Sequence, residues 1–176
     1  GGGGNSGDDD GGKGKGPAYS VQDCLKSFTE EEVLDGDNRY TCDKCKKRRK
    51  CIKRLTIHRW PQVLVVHIKR FNYTAYSRDK VNTLVRFPVK GLDLSPFVSH
   101  TEDRAEHGRP IYDLYGVSNH MGVLGGGHYT ATCLDDPTSR WFNFNDSTVS
   151  DADVSETQSS VAYVLFYKQR SREPVP

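Results

Sequence analysis

Two short segments, Gly125-Gly126-Gly127-His128-Tyr129-Thr130-Ala131 and Asn145-Asp146-Ser147, hold the residue types from which proton-transfer chemistry is built. A nucleophile–base–orienter triad needs an imidazole to take a proton and a third group to fix its tautomer. His128 supplies the first, and Asn145 or Asp146 supplies the second. Tyr129, Ala131 and Cys133 alternate with Thr130 and Thr132, which predicts a strand beginning at His128. The preceding glycines form a hinge without side chains, so an extended peptide can pass close to Gly126, Gly127 and Tyr129. Trp141 to Phe144 alternates into Asn145 and sets that amide at the end of an adjacent hairpin strand, within reach of His128. On this geometry Asn145 accepts the Nδ1 proton and leaves Nε2 as the base, while Asp146 orients the ring or polarises a water. The residues alone leave a second reading open, a surface turn histidine beside an ordinary β-turn.

The elements that must hold these groups are mostly strands. Ser20-x-x-Asp23 caps a helix with Val21, Cys24, Leu25 and Phe28 at helical spacing, and Cys24 reads as a small buried residue. Thr29-x-x-Glu32 opens a second short helix carrying Val33 and Leu34 and ending near Gly36. Strand patterns then cover Cys51 to Arg59, Leu84 to Pro88, Tyr112 to Ser118, Tyr129 to Leu134, Trp141 to Asn145 and Val161 to Tyr167. Val63 to Ile68 is almost wholly apolar and reads as a strand covered on both faces. Leu92 to Phe97 suits a turn of helix, and Asn72 to Asn82 and His100 to Arg109 are polar loops. Sequential strands without long intervening helices predict an antiparallel sheet in an α+β domain. Residues 1–16 are glycine-dominated and are expected to be disordered, residues 17–169 form the domain, and residues 170–176 a flexible tail.

Composition narrows the function classes. Of 176 residues, 35% are hydrophobic and 27% charged, with a net charge of +2 and five cysteines. No stretch approaches the roughly 20 apolar residues that span a bilayer, so no membrane partner is expected. An odd cysteine count suits a reducing compartment, cytoplasmic or nuclear, better than a disulfide framework. Lys44, Lys46, Lys47, Arg48, Arg49, Lys50, Lys53 and Arg54 form a basic run beside Cys42-x-x-Cys45. Nucleic-acid binding is the rival this raises, but such runs are commonly solvated faces, and acidic residues elsewhere nearly cancel the charge.

Several blocks together resemble one family. Asn119-His120, the glycine–histidine segment, Trp141 and Phe144-Asn145-Asp146-Ser147 are similar to the histidine box of the ubiquitin-specific proteases, papain-like cysteine enzymes that remove ubiquitin. Cys42-x-x-Cys45, Arg59-x-Pro61, Val63 to Phe71, Phe87-Pro88 and Ala162 to Tyr167 match the same family in order and spacing. The resemblance implies a papain-like fold with an antiparallel palm sheet and partial fingers. It makes His128 the general base, Asn145 its orienting partner and Asp146 a supporting group. It makes Asn119 to Gly127 and Asn72 to Asn82 mobile loops over the ubiquitin tail, and it implies ubiquitin and ubiquitinated proteins as partners.

The family's nucleophile sits in a cysteine box ahead of everything matched here, and no such box is present. Cys133 points to the face opposite His128, Cys42 and Cys45 suit a metal knuckle, and Cys51 lies in a basic strand. The expectation is therefore a catalytic-domain portion without its thumb, inactive alone, whose partner is the missing N-terminal half; a non-catalytic ubiquitin-binding module is the alternative. No cofactor is required for this chemistry. Cys42 and Cys45 are half of a tetrahedral zinc site, and with Cys51 and His58 poorly directed to complete it the pair reads as free thiols on a turn.

Overall fold

A computed structural model describes residues 19–73, 78–99, 108–123 and 126–170. The expectations for residues 1–16, for 171–176 and for most of the loop from His100 to Arg109 lie outside these. The Ser20 capping box forms as read: Ser20 Oγ accepts from the Asp23 amide at 3.1 Å, and Asp23 accepts in return from the Ser20 amide. It opens helix α1, Val21–Thr29, after a short strand β1, Tyr19–Ser20. Val21 is buried, whereas Cys24 is exposed rather than in the core, because it falls on the solvent side of the helix.

The second expected helix does not form. Thr29 Oγ1 bonds back to the carbonyls of Leu25 and Lys26 at 3.0 and 3.1 Å, so it closes α1 and caps nothing downstream. Glu32–Leu34 is instead β2, paired antiparallel with β5, Cys51–Lys53, through Val33 opposite Ile52. A long-range pairing has overridden a local helix signal. Between them β3, Tyr40–Thr41, and β4, Arg48–Arg49, form a two-stranded ribbon around the cysteine knuckle. The strand expected from Cys51 to Arg59 stops at Lys53; Ile57 makes only an isolated parallel bridge to Val98.

Seven antiparallel strands make the main sheet. Its members are β6 (Val63–His67), β10 (Leu92–Asp93), β11 (Ile111–Val123), β12 (Gly126–Asp135), β13 (Arg140–Asn145), β14 (Thr148–Ala152) and β15 (Ala162–Gln169). The order is β14-β13-β12-β11-β15-β6, with β10 also on β11. Outside it lie the hairpin of β7 (Phe71–Tyr73) with β8 (Arg78–Lys80), and β9 (Val85–Arg86), parallel to β1. The polar stretch Asn72 to Asn82 is thus a hairpin where described, because its ends pair Phe71 with Lys80. The segment Leu92 to Phe97 gives β10 and then a single 3-10 turn, Ser95–Phe97.

Directly opposed residues in a sheet share a face. Val117 opposes Thr132 and Leu165, Leu165 opposes Val66, and Tyr167 opposes Leu64. This face, which Leu92 of β10 extends, packs with Val21, Trp60, Phe87, Leu94 and Phe97 and forms the core. Two tyrosines anchor it: Tyr112 Oη donates to the Pro61 carbonyl at 2.5 Å, and Tyr167 Oη to the Pro88 carbonyl at 2.8 Å. Burial pushes the Tyr112 pKa up to about 12. The other face carries Val65, Phe166, Cys133, Phe142, Phe144 and Val149, and remains partly open, with Val65 53% and Val149 55% exposed. The apolar run Val63 to Ile68 is therefore covered on one face only among the described residues. It lies at the sheet edge and pairs with β15 alone.

Candidate active site

The site lies where the core face of β12 and β13 runs out into solvent. Ala131 opposes Phe144, so the next rung sets Thr130 beside Asn145. His128 precedes Thr130 by one pleat repeat and is the diagonal neighbour of Asn145 on the same face. The side chains meet: His128 Nε2 stands 2.6 Å from Asn145 Oδ1. An amide oxygen only accepts, so Nε2 carries the proton and Nδ1 keeps its lone pair. The expected assignment of ring nitrogens is thereby reversed, because the amide reaches the imidazole from the Nε2 side. Nδ1 is the atom left to act as base.

Asn145 is held by the tight turn that follows it. Asn145 opposes Thr148, and only Asp146 and Ser147 separate them. Asp146 takes a left-handed φ of 50°, which Asp tolerates better than most residues. Its Oδ2 lies 4.0 Å from the same Nε2, with 81% of the side chain exposed. At that distance and exposure it is a screened counter-charge for an imidazolium, and the tautomer is set by Asn145.

The glycines before His128 belong to the strand. Gly126 and Gly127 pair with Val123 and Gly122, so β11 and β12 form a continuous hairpin wherever described, in place of the loop expected from Asn119 to Gly127; Gly125 lies outside the described residues. A Cβ on Gly127 would sit 2.4 Å from His120 Nε2 and 2.6 Å from the Met121 carbonyl, whereas Gly126 has nothing within 4 Å. Gly127 is thus required by close packing on His120, and Gly126 is the open position. Tyr129 is 56% exposed and points to the opposite face, where its ring meets that of His120 at 4.7 Å.

The cysteines separate as expected from His128. Among the described residues its polar contacts are Asn145 and Asp146. Cys133, an odd number of positions along β12, is on the other face, and burial pushes its thiol pKa up, which disfavours a thiolate. Cys42 and Cys45 share a knuckle turn in which Lys46 has φ 53°, the Cys42 amide donates to the Lys47 carbonyl at 3.0 Å, and the Cys42 carbonyl accepts from the Lys46 amide at 2.8 Å. Backbone N–H groups of Cys45 and Lys44 hold the Cys42 thiol below its usual pKa. That donor set suits a soft metal, but among the described residues no third His, Cys, Asp or Glu joins the pair. It therefore offers two of the four ligands structural zinc takes.

The sequence placed His120 in a loop and gave its ring no structural role, yet it is 4% exposed and lies one strand from His128. The available signal was alternation: had β11 been extended past Ser118, its pairing with β12 would have set His120 opposite Tyr129.

Several known proteins are similar to this chain. The family described as "Ubiquitin carboxyl-terminal hydrolase" matches residues 32–167. Ubiquitin carboxyl-terminal hydrolase 2 of Homo sapiens is 44% identical over 155 residues, covering 88% of this chain and 25% of that protein. Hydrolase 9 of Arabidopsis thaliana is 43% identical over 152 residues, covering 86% of this chain and 16% of its own length. Among solved structures, the SAGA Ubp8/Sgf11/Sus1/Sgf73 DUB module bound to ubiquitin aldehyde superposes with a TM-score of 0.73 at 36% identity, covering 88% of this chain and 34% of that one. The chain spans a quarter of the human relative. With the family model matched across most of its length, the chain belongs to the ubiquitin carboxyl-terminal hydrolase family.

Proposed function

We propose that the chain is the base-bearing part of a thiol-dependent hydrolase that cleaves after the C-terminal glycine of ubiquitin. The observation that carries this reading is the 2.6 Å contact of His128 Nε2 with Asn145 Oδ1. It fixes the tautomer that leaves Nδ1 free to take a thiol proton. The thiolate attacks the carbonyl carbon, the leaving amine takes the proton back from His128, and a water activated by the same Nδ1 releases ubiquitin from the acyl-enzyme. The thiol is supplied by the cysteine block that, by the family resemblance, precedes this region in longer relatives. Gly126, Gly127 and Tyr129 line the path of the ubiquitin tail, and Asp146 steadies the imidazolium.

In this reading the main sheet is a palm, the β2–β5 region a portion of the fingers, and the thumb is provided by the preceding segment. A structural zinc at Cys42 and Cys45 would take its other two ligands from outside the described residues. Five free cysteines suit a cytoplasmic or nuclear setting. Among the described residues no thiol contacts His128, which favours a second reading for the chain alone, a non-catalytic ubiquitin-binding module.

The test joins residues 17–176 to the preceding segment of the human relative and measures hydrolysis of a ubiquitin C-terminal fluorogenic substrate. Turnover that falls at least 100-fold in His128→Ala and more modestly in Asn145→Ala is expected. Turnover unchanged by His128→Ala would sink the proposal. The 176-residue chain by itself is expected to show no turnover, and ubiquitin titrated into it should shift resonances near Gly126 to Tyr129.

A further inference from the structure

The β7–β8 hairpin meets the β11–β12 hairpin at His120, on the strand paired with the one that carries His128, and a lysine ties them together. Lys80, the last residue of β8, donates from Nζ to the His120 carbonyl at 2.6 Å. Phe71, at the start of β7, packs edge-on against the His120 ring at 5.4 Å. The ring is enclosed further by Tyr129 at 4.7 Å and Tyr163 at 5.8 Å. Its Nδ1 is buried with no hydrogen-bond partner, and its Nε2 edge is the surface against which Gly127 packs. Gly127 immediately precedes His128.

The base of the β7–β8 hairpin is fixed independently. Arg70 is 1% exposed, and its guanidinium donates to the carbonyls of Ala162, Val81 and Thr83 at 2.7, 3.0 and 2.8 Å. These bonds hold both ends of the hairpin against β15. They do not touch β11 or β12, whereas the Lys80 bond is a polar link from this hairpin to the β11–β12 pair that carries the site. A lysine in that place is costly, since burial and the nearby Arg70 charge both lower its pKa. A charge-assisted bond to a carbonyl compensates such a cost.

We propose that Lys80 and His120 are positioning residues: the Lys80–His120 carbonyl bond latches the β7–β8 hairpin onto the β11–β12 hairpin and, through the His120–Gly127 contact, fixes where His128 stands. The proposal rests on His128 being the base, but its readouts require no turnover, so it can fail while that reading survives.

The experiment is amide hydrogen exchange and imidazole NMR on the full 176-residue chain. Lys80→Met removes the donor and keeps the stem. Exchange at Gly127 and His128 should quicken about tenfold with the loss of one charge-assisted bond. Core amides at Leu114 and Leu165 should not change, and the His128 ring nitrogen signals should broaden or shift. Lys80→Arg, which restores a donor, should return both. If Lys80→Met weakens the whole fold, Phe71→Leu probes the same link from the packing side and should quicken the same amides. Unchanged exchange at Gly127 and His128 in both variants, or quickening that Arg does not reverse, would overturn the proposal.

Discussion

Replacing Gly127 by alanine tests how the site is built. The added Cβ meets His120 Nε2 at 2.4 Å and the Met121 carbonyl at 2.6 Å, both inside the distance at which something must move. Neither neighbour can give easily. Met121 is backbone on the paired strand, and the His120 ring is enclosed by Phe71, Tyr129 and Tyr163. Overpacking of this kind costs about 1–3 kcal/mol, and two rigid neighbours put it near the upper end. For a domain of this size each kcal/mol shifts Tm by about 2–4 °C, so a fall of roughly 5–10 °C is expected. Gly126→Ala is the control, because its Cβ would have open space, and it should stay within about 0.5 kcal/mol of the parent. The assay is thermal unfolding by circular dichroism on the three proteins side by side. If Gly127→Ala melts within 2 °C of Gly126→Ala (a margin of about 0.5–1 kcal/mol), the close approach to His120 is not what requires glycine there.

Three further perturbations follow from named contacts. Arg70→Lys leaves a single ammonium to serve three carbonyls now held by one guanidinium; each lost charge-assisted bond costs about 1.5–3 kcal/mol, so urea unfolding should show a loss of several kcal/mol, and a loss below about 1 would contradict the assignment. Tyr167→Phe removes the donor to the Pro88 carbonyl from a residue with no exposure, and should destabilise by about 1–3 kcal/mol. Burial, and then Lys80, hold the His120 pKa below its ordinary 6.5. The unfolded chain therefore takes up that proton more readily, and stability should fall as pH drops below about 6.5, with a slope from this group bounded by the roughly 1.4 kcal/mol per unit of one whole proton. His120→Phe should flatten that part of the profile, and an unaltered slope would assign it elsewhere.

The parts of the fold legible in the sequence were those set by local signals. The Ser20–Asp23 box, the alternation of Tyr129 to Leu134, and the approach of Asn145 to His128 all depend on neighbours or on one hairpin. Long-range pairing defeated the same reasoning at Val33, which joins Ile52 in a strand although its local pattern suited a helix. The apolar run from Val63 suggested burial on both sides, yet composition does not say whether a strand is central or at an edge. The ring nitrogen of His128 was also not readable, since it depends on the side from which the amide approaches. The pairing of His120 with Lys80 was not legible, although both lie in segments the resemblance made loops, because it is a contact between hairpins 40 positions apart.

The most direct measurement is the tautomer of His128 in the 15N-labelled chain at a pH where the ring is neutral. Long-range imidazole correlations should show Nε2 protonated and Nδ1 bare, with Asn145→Ala releasing the ring into a mixture of tautomers. A ring protonated at Nδ1, or one indifferent to the loss of the Asn145 amide, would contradict the account.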